Sequence, residues 1–145
     1  SLVMDTYSMG YSVSSYMDVP MNQKIFMAQY ECIKKLAEQE SCIIVGRCAD
    51  YALKDMPGLV SVFISADMDF KIKRVIEMYG CDEVKAKDII NKTNKKRASY
   101  YNFYSNKKWA DSRSYNLCIN SSVVGIENAA DLIIQFMNLK LNKKD

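Results

Sequence analysis

Apolar residues recur with two different spacings along the chain, and these spacings predict its first secondary-structure elements. Over residues 21–40 they lie three or four positions apart, which is the spacing of an amphipathic helix. Residues 42–46 begin with a wholly apolar run of the kind that forms a strand covered on both faces of a parallel sheet. Residues 59–66 are rich in β-branched side chains and predict a second strand.

In the second half of the chain, predicted helices and strands also follow one another. A helix is predicted from Asp67, a candidate N-cap, to Gly80, and Asp82 is a candidate cap for a further helix that runs into a basic, tyrosine-rich segment. Residues 116–120 predict a third strand, and residues 125–142 predict a final helix. This order favours one α/β domain over residues 1–145, built on a mostly parallel sheet.

Composition adds a class and an expected location. With 49% apolar and 26% charged residues, the chain is typical of a soluble globular protein. No stretch approaches the roughly 20 uncharged apolar residues of a membrane span, and the first residues do not resemble a secretion signal, so we expect a cytoplasmic protein without a membrane partner. The Tyr- and Met-rich opening, residues 1–20, either lines a surface for homo-oligomer formation or covers the protein's own core.

The side-chain inventory restricts the chemistry. The sequence has no histidine, which removes serine-histidine and cysteine-histidine nucleophiles. Five cysteines are scattered without a C-x-x-C pair, so we expect reduced, mostly packed thiols and no metal site built by the protein. Any catalysis must therefore use Asp, Lys, Arg and Tyr side chains.

Positive charge is concentrated in residues 92–113, which we call the lid segment. It holds seven cationic side chains against one carboxylate, whereas the rest of the chain holds thirteen cations and sixteen carboxylates. Aromatic residues alternate with the cations, and Arg97 and Tyr101 share a helix face. Three interpretations compete: an arm that closes over a phosphate-bearing ligand, a helix face whose tyrosines pack, and a nucleic-acid groove. The acidic remainder makes nucleic acid the weakest of the three.

A cation and a carboxylate follow the predicted strand 42–46. Arg47 and Asp50 lie where ligands bind in open parallel sheets, beyond the carboxyl end of a strand. A guanidinium grips two phosphate oxygens, and an aspartate accepts hydrogen bonds from the same ligand. The alternative is a structural Arg-Asp pair at the strand end.

Four motifs in order resemble the cytidylate kinase-like family of nucleoside monophosphate kinases. They are VGRCADY, NKKRASYY, NKKWAD, and LCINSS followed by GIENAADLI. The resemblance implies a three-layer αβα fold of the P-loop class, with a mostly parallel sheet and a helical lid. It also implies ATP-dependent phosphoryl transfer to a nucleoside monophosphate, CMP or dCMP, with Mg²⁺.

The resemblance also implies roles for single residues. Arg47 resembles the arginine that holds the acceptor phosphate, and Asp50 the polar residue near the nucleoside. Among the cations of the lid segment, Arg97 resembles the one that closes over the transferred group. The remaining assignments are Lys108 as a second catalytic cation, Lys96 and Tyr101 as substrate-binding residues, and Arg113 and Ser121, with Ser122, near ATP. Asn94 stands where the family's lid motif suggests an acidic residue.

One expected part is missing from the sequence. The five glycines never cluster into a phosphate-binding loop such as G-x-x-x-x-G-K-[ST], and no strand precedes helix 21–40 to carry one. In this fold that strand lies between strands 42–46 and 59–66, so we expect the first strand and the loop upstream of Ser1. The alternatives are a nucleotide-binding or regulatory module without catalysis and, more weakly, an RNA-binding domain.

Overall fold

The structure is a computed structural model that describes residues 19–143, with side chains from residue 22 onward. Its chain divides into two compact units, Ser1–Pro57 and Gly58–Asp145. Residues 1–18 of the opening segment 1–20 lie outside the described residues, so the self-association surface stays a prediction. The described elements form a mixed, mostly helical α/β protein: α1 (Val19–Gln39), α2 (Ala49–Ala52), β1 (Val62–Ser65), α3 (Met68–Tyr79), α4 (Glu83–Ser105), β2 (Leu117–Asn120), α5 (Ser121–Val124) and α6 (Ile126–Leu141).

The first unit is a long helix packed on a short one. The predicted helix 21–40 is confirmed as α1, which contacts α2. Ile33 of α1 is buried, and the ring of Tyr30 lies 6.4 Å from that of Tyr51 in α2. Four further apolar residues around α2 are buried: Cys48, Ala49, Ala52 and Leu53. This small core holds the turn that carries Arg47.

The predicted strand 42–46 is wrong. Residues 41–45 have no regular secondary structure and pair with no strand among the described residues. Ile43 is 90% exposed and Val45 is 66% exposed, so the apolar run is uncovered in this part of the chain. An apolar run gives the intrinsic preference for a strand, but a strand forms only where a neighbour satisfies its backbone hydrogen bonds.

The second unit contains a two-stranded parallel sheet. β1 pairs with β2 from Val62 opposite Leu117 to Ser65 opposite Asn120, which confirms both strands and their parallel direction. The helices α3 and α4 connect the two strands. Just before the strands, the backbone amide of Ser61 donates to Asn116 Oδ1 at 3.0 Å, and this link fixes the register where the sheet begins.

α3 and α4 form an antiparallel helical hairpin with its own apolar core. Three residues, Ile72, Ala86 and Ile90, are buried between the two helices. Gly80 ends α3 in the left-handed conformation, at φ 62°, where a residue with a Cβ would be strained. Asp82 caps α4 as predicted, because its carboxylate accepts a hydrogen bond from the Lys85 amide at 2.7 Å.

The last predicted helix, residues 125–142, is confirmed as α6, and the short helix α5 precedes it. Residues 121–124 form α5, Gly125 turns the chain at φ 84°, and α6 then packs against β2, with Ala129 of α6 buried.

The expectation of mostly packed cysteines is wrong, because Cys32, Cys42 and Cys118 are exposed. Among residues 19–143, no helix combines the length and the apolar character that a membrane span requires.

Candidate functional site

Arg47 lies in a strained turn of the first unit. Gly46, Arg47 and Cys48 all have left-handed backbones, with φ of 72°, 58° and 54°. Two of the three carry a Cβ, which costs about 1–2 kcal/mol each in this conformation. Cys48 is buried while Arg47 is exposed, so the packed neighbours hold a turn that presents the guanidinium to solvent. Strain of this kind is common at ligand-binding positions.

Asp50 lies in the first turn of α2 and is half-buried. Among the ion pairs that the structure describes, none joins Asp50 to Arg47. Burial, with a smaller contribution from the Asp50 charge, raises the pKa of the Cys48 thiol to about 11. Cys48 therefore stays protonated at neutral pH and acts as a packing residue.

The lid segment is not a free arm along its whole length, because residues 92–105 continue α4. Ile90, Arg97 and Tyr101 lie on one face of this helix, seven and four residues apart. Ile90 and Tyr101 are buried, but Arg97 between them is exposed. Within residues 22–143 no hydrogen bond or ion pair involves the Arg97 guanidinium. Arg97 is thus an exposed cation on the helix face that also carries the buried Ile90 and Tyr101.

Tyr101 packs in an aromatic cluster of the second unit. Its ring stacks on Tyr115 at 5.8 Å, and Tyr115 contacts Phe63 of β1 at 5.0 Å. Trp109 closes the cluster with its ring edge-on to Phe63 at 5.3 Å. Tyr101 is only 6% exposed, so of the three interpretations of the lid segment this ring fits packing. Lys96, adjacent to Arg97 in the sequence, is exposed on a different part of the helix circumference.

Lys108 is exposed on the loop that follows α4, residues 106–115. Its carbonyl accepts hydrogen bonds from the Asp111 amide at 3.2 Å and from the Ser114 hydroxyl at 3.1 Å. The next amide, that of Trp109, donates to Asn102 Oδ1 of α4 at 2.7 Å. Two residues with a Cβ, Asn106 and Ala110, have φ of 56° and 63°. The backbone around Lys108 is therefore held on both sides.

Arg113 forms an ion pair with the Asp111 carboxylate. Its Nε and Nη2 atoms donate to the two oxygens of Asp111 at 3.0 and 2.6 Å, while 87% of its side chain remains exposed. These hydrogen bonds lower the pKa of Asp111 to about 2. A role for Arg113 at a nucleotide would require sharing its guanidinium with Asp111, or exchanging one anion for the other.

We expect the Asp111 carboxyl to titrate near pH 2 when its chemical shift is followed by NMR. Because this pKa lies below the ordinary value of 3.8, the stabilisation from the pair is complete above pH 3.8 and is lost as the pH falls through about 2. In Arg113→Ala the pKa should return toward 3.8. An unchanged pKa in that variant would show that Arg113 is not its cause.

Polar residues meet where β1 and β2 end. The Ser121 hydroxyl donates to the Ser65 carbonyl at 3.0 Å, and Ser121 is buried. Asn120 Nδ2 donates to Asp67 Oδ1 at 2.9 Å, and Ser122 Oγ accepts from the Asp67 amide at 2.9 Å. Hydrogen bonds from Asn120 and then Ser122 lower the pKa of Asp67. Asp67 occupies the N-cap position of α3 as predicted, but its carboxylate makes no capping hydrogen bond.

Sequence reasoning missed Asp67 and Asn120 at this edge. Both directly follow a predicted strand, and that position beyond a strand end was the available signal. The sequence pattern predicts only a helix-cap role for Asp67. The pairing itself depends on residues 53 positions apart, which no local pattern shows.

Comparison with known protein families shows which family the chain belongs to. The profile of the cytidylate kinase-like family matches residues 1–123, which span Arg47, the lid segment and the polar residues after β2. The chain belongs to the cytidylate kinase-like family. This membership supports a nucleotide-kinase-like role with nucleotide substrates.

A solved structure is also similar. It is the crystal structure of an uncharacterized protein from Eubacterium ventriosum ATCC 27560, with 43% sequence identity and a TM-score of 0.78. The match covers 83% of this chain and 76% of that one. Comparison with curated proteins gives no significant match.

A groove of about 420 Å³ lies between α3 and the start of α4. Three carboxylates and one lysine line it around two isoleucines: Asp69, Glu77, Glu83, Lys73, Ile72 and Ile76. Excess negative charge repels phosphate groups, so this groove does not suit the nucleotides that the family uses. Within residues 22–143, no cluster of three or more acidic or cysteine side chains could hold a metal ion.

Proposed function

We propose that the protein transfers a phosphoryl group from ATP to a nucleoside monophosphate, with CMP or dCMP as the acceptor. The observation that carries this proposal is the exposed Arg97 guanidinium, which has no hydrogen-bond or ion-pair partner within residues 22–143 and lies on the face of α4 that also carries the buried Ile90 and Tyr101. An uncompensated guanidinium in such a position suits an anion that arrives with a ligand. Family membership supplies the reaction class.

In this proposal Arg47 holds the acceptor. Its exposed guanidinium, presented by the strained turn, would grip two oxygens of the monophosphate, and Asp50 would accept a hydrogen bond from the nucleoside. The buried Cys48 and Ala49 keep the turn in place before the ligand arrives. Such preorganisation lowers the entropy cost of binding.

The lid segment supplies cations for the transfer step. Phosphoryl transfer needs alignment and positive charge on the transferred group more than covalent chemistry, so a protein without histidine is suited to it. Arg97 would stabilise the transition state, with Lys108 as the second cation and Lys96 as an auxiliary substrate contact. Tyr101 would act through packing, because its buried ring holds α4 against Tyr115.

The ATP end of the site is assigned to Arg113 and Ser121. The Ser121 hydroxyl already donates to Ser65, so its part would be to fix the turn after β2 rather than to donate to ATP. Mg²⁺ would be held mainly by the nucleotide's phosphate oxygens and by water, and it would neutralise charge on the phosphates.

The proposed architecture is the three-layer αβα fold of the P-loop class, one domain with the lid segment inside it. Two of its parallel strands are β1 and β2. The 145 residues contain no G-x-x-x-x-G-K-[ST] pattern, which is a common phosphate-binding loop of ATP-dependent enzymes. A cytoplasmic location and self-association remain predictions.

The test is an assay of full-length protein with Mg·ATP and, separately, CMP, dCMP, UMP and AMP. We expect conversion of CMP or dCMP to the diphosphate, faster than with AMP. Saturable CMP binding without any transfer would contradict the proposal and favour a nucleotide-binding module. Absence of nucleotide binding, together with RNA affinity that falls steeply with salt, would favour the RNA-binding alternative.

A further inference from the structure

Two side chains of α4, Asn102 and Ser105, hold the loop around Lys108, and Asn102 holds the amide directly after Lys108. Asn102, in the last turn of α4, accepts a hydrogen bond from the Trp109 amide seven residues later, at 2.7 Å. This bond turns the chain back toward the helix directly after Lys108. Asn102 is exposed, so its amide is not held in place by a surrounding core.

Other hydrogen bonds also hold this loop, but none of those described involves the Trp109 amide. Ser105 Oγ donates to the Tyr101 carbonyl and accepts from the Lys107 amide at 3.2 Å, which fixes the start of the loop. The Ser114 hydroxyl reaches the Lys108 carbonyl from the other end. Asn102 is the described side chain that holds the amide immediately after Lys108.

The loop also stores backbone strain that such an anchor must hold. Ala110 adopts φ 63°, a conformation that costs an alanine about 1–2 kcal/mol. Asn106 adopts φ 56° at the end of α4. A loop that is strained at two points relaxes when a restraining bond is removed, and Lys108 lies between those two points.

We propose that Asn102 is a positioning residue, which acts through the Trp109 amide to set the place of Lys108 in the proposed phosphoryl transfer. The inference rests on the proposed function. A catalytic cation must be held within about 0.5 Å of its productive position, and a displacement of about 1 Å costs roughly a hundredfold in rate. Asn102 has this effect without touching the substrate.

The experiment compares Asn102→Ala, Asn102→Asp and Asn91→Ala in the full-length protein. Asn91 is a matched control, because it is also an exposed asparagine on α4 and lies eleven residues away from the loop's anchor. We expect Asn102→Ala to lower kcat roughly ten- to a hundredfold with the acceptor KM unchanged. Asn102→Asp should recover most of kcat, since a carboxylate oxygen accepts the same hydrogen bond.

Fluorescence provides a readout that does not depend on turnover. Trp109 is the only tryptophan of the sequence, and its indole contacts Phe63. We expect its emission to shift to longer wavelength in Asn102→Ala, and to stay at the unmodified position in Asn102→Asp and Asn91→Ala, because only the first change releases the Trp109 amide.

The outcomes separate the two hypotheses. If the unmodified protein transfers phosphate and Asn102→Ala matches Asn91→Ala in kcat, the positioning role is overturned and the proposed function stands. If Asn102→Asp does not recover kcat, or if kcat falls only in proportion to lost folded protein, the positioning role is also overturned. If the unmodified protein transfers no phosphate, the proposed function fails and the inference fails with it.

Discussion

Replacing Arg97 by alanine is expected to lower kcat for CMP phosphorylation by roughly 10²–10³-fold, with the KM for CMP changed by less than about threefold. Charge on the transferred phosphoryl group spreads over its equatorial oxygens in the transition state, and a preorganised guanidinium gains most of its interaction there. Arg97 meets this requirement because no described side chain neutralises it.

Two further variants show whether charge alone is sufficient. Arg97→Lys keeps the positive charge but loses the planar fork, so we expect it to recover only part of kcat. Lys95→Ala is the matched control, since Lys95 is an exposed cation two residues earlier and lies on nearly the opposite side of α4 from Arg97. Its kcat should equal that of the unmodified protein.

The stability of these variants should not differ. Arg97 is exposed and makes no described hydrogen bond, so its removal is expected to change the free energy of unfolding by less than about 0.5 kcal/mol. Thermal melting of each variant checks this point. Equal kcat for Arg97→Ala and Lys95→Ala would exclude Arg97 from the transfer step.

Replacing Arg47 by alanine is expected to raise the KM for the acceptor by roughly ten- to a hundredfold. Hydrogen bonds to a charged group contribute about 1.5–3 kcal/mol, and each 1.4 kcal/mol corresponds to about a factor of ten. The KM for ATP should stay nearly constant, because the role of Arg47 in the proposal is confined to the acceptor phosphate. Steady-state kinetics with each substrate varied in turn measures both values.

The Arg47→Ala substitution removes the guanidinium without changing the backbone strain. Arginine and alanine both carry a Cβ, so the left-handed strain at φ 58° is the same before and after the change. Lys35→Ala, an exposed cation on α1, is the control for loss of one positive charge in the first unit. An acceptor KM that rises equally in both variants would point to general electrostatics and would remove Arg47 from the site.

Helical elements were predictable because their signals are local. The spacing of apolar residues, Asp82 at the start of α4 and Gly80 at the end of α3 act within one or two helical turns. The strands of the second unit and their parallel direction were also predicted, from β-branched composition and from the order of elements. The strand at 42–46 was wrong, because pairing depends on a distant partner that composition does not specify.

The candidate site can also be divided into features that local sequence patterns predict and features that depend on tertiary contacts. Helical spacing alone placed Arg97 and Tyr101 on one face of α4, and the motifs of the sequence pointed to the family that the comparison confirms. The sequence by itself thus determined the four long helices, the family and the concentration of cations, but not the short helices α2 and α5. The tertiary structure alone decided that Tyr101 is buried by Tyr115 while Arg97 stays exposed, and that Asn102 anchors the loop of Lys108. Burial and long-range hydrogen bonds depend on which segments meet in space, and that is settled only when the whole chain packs.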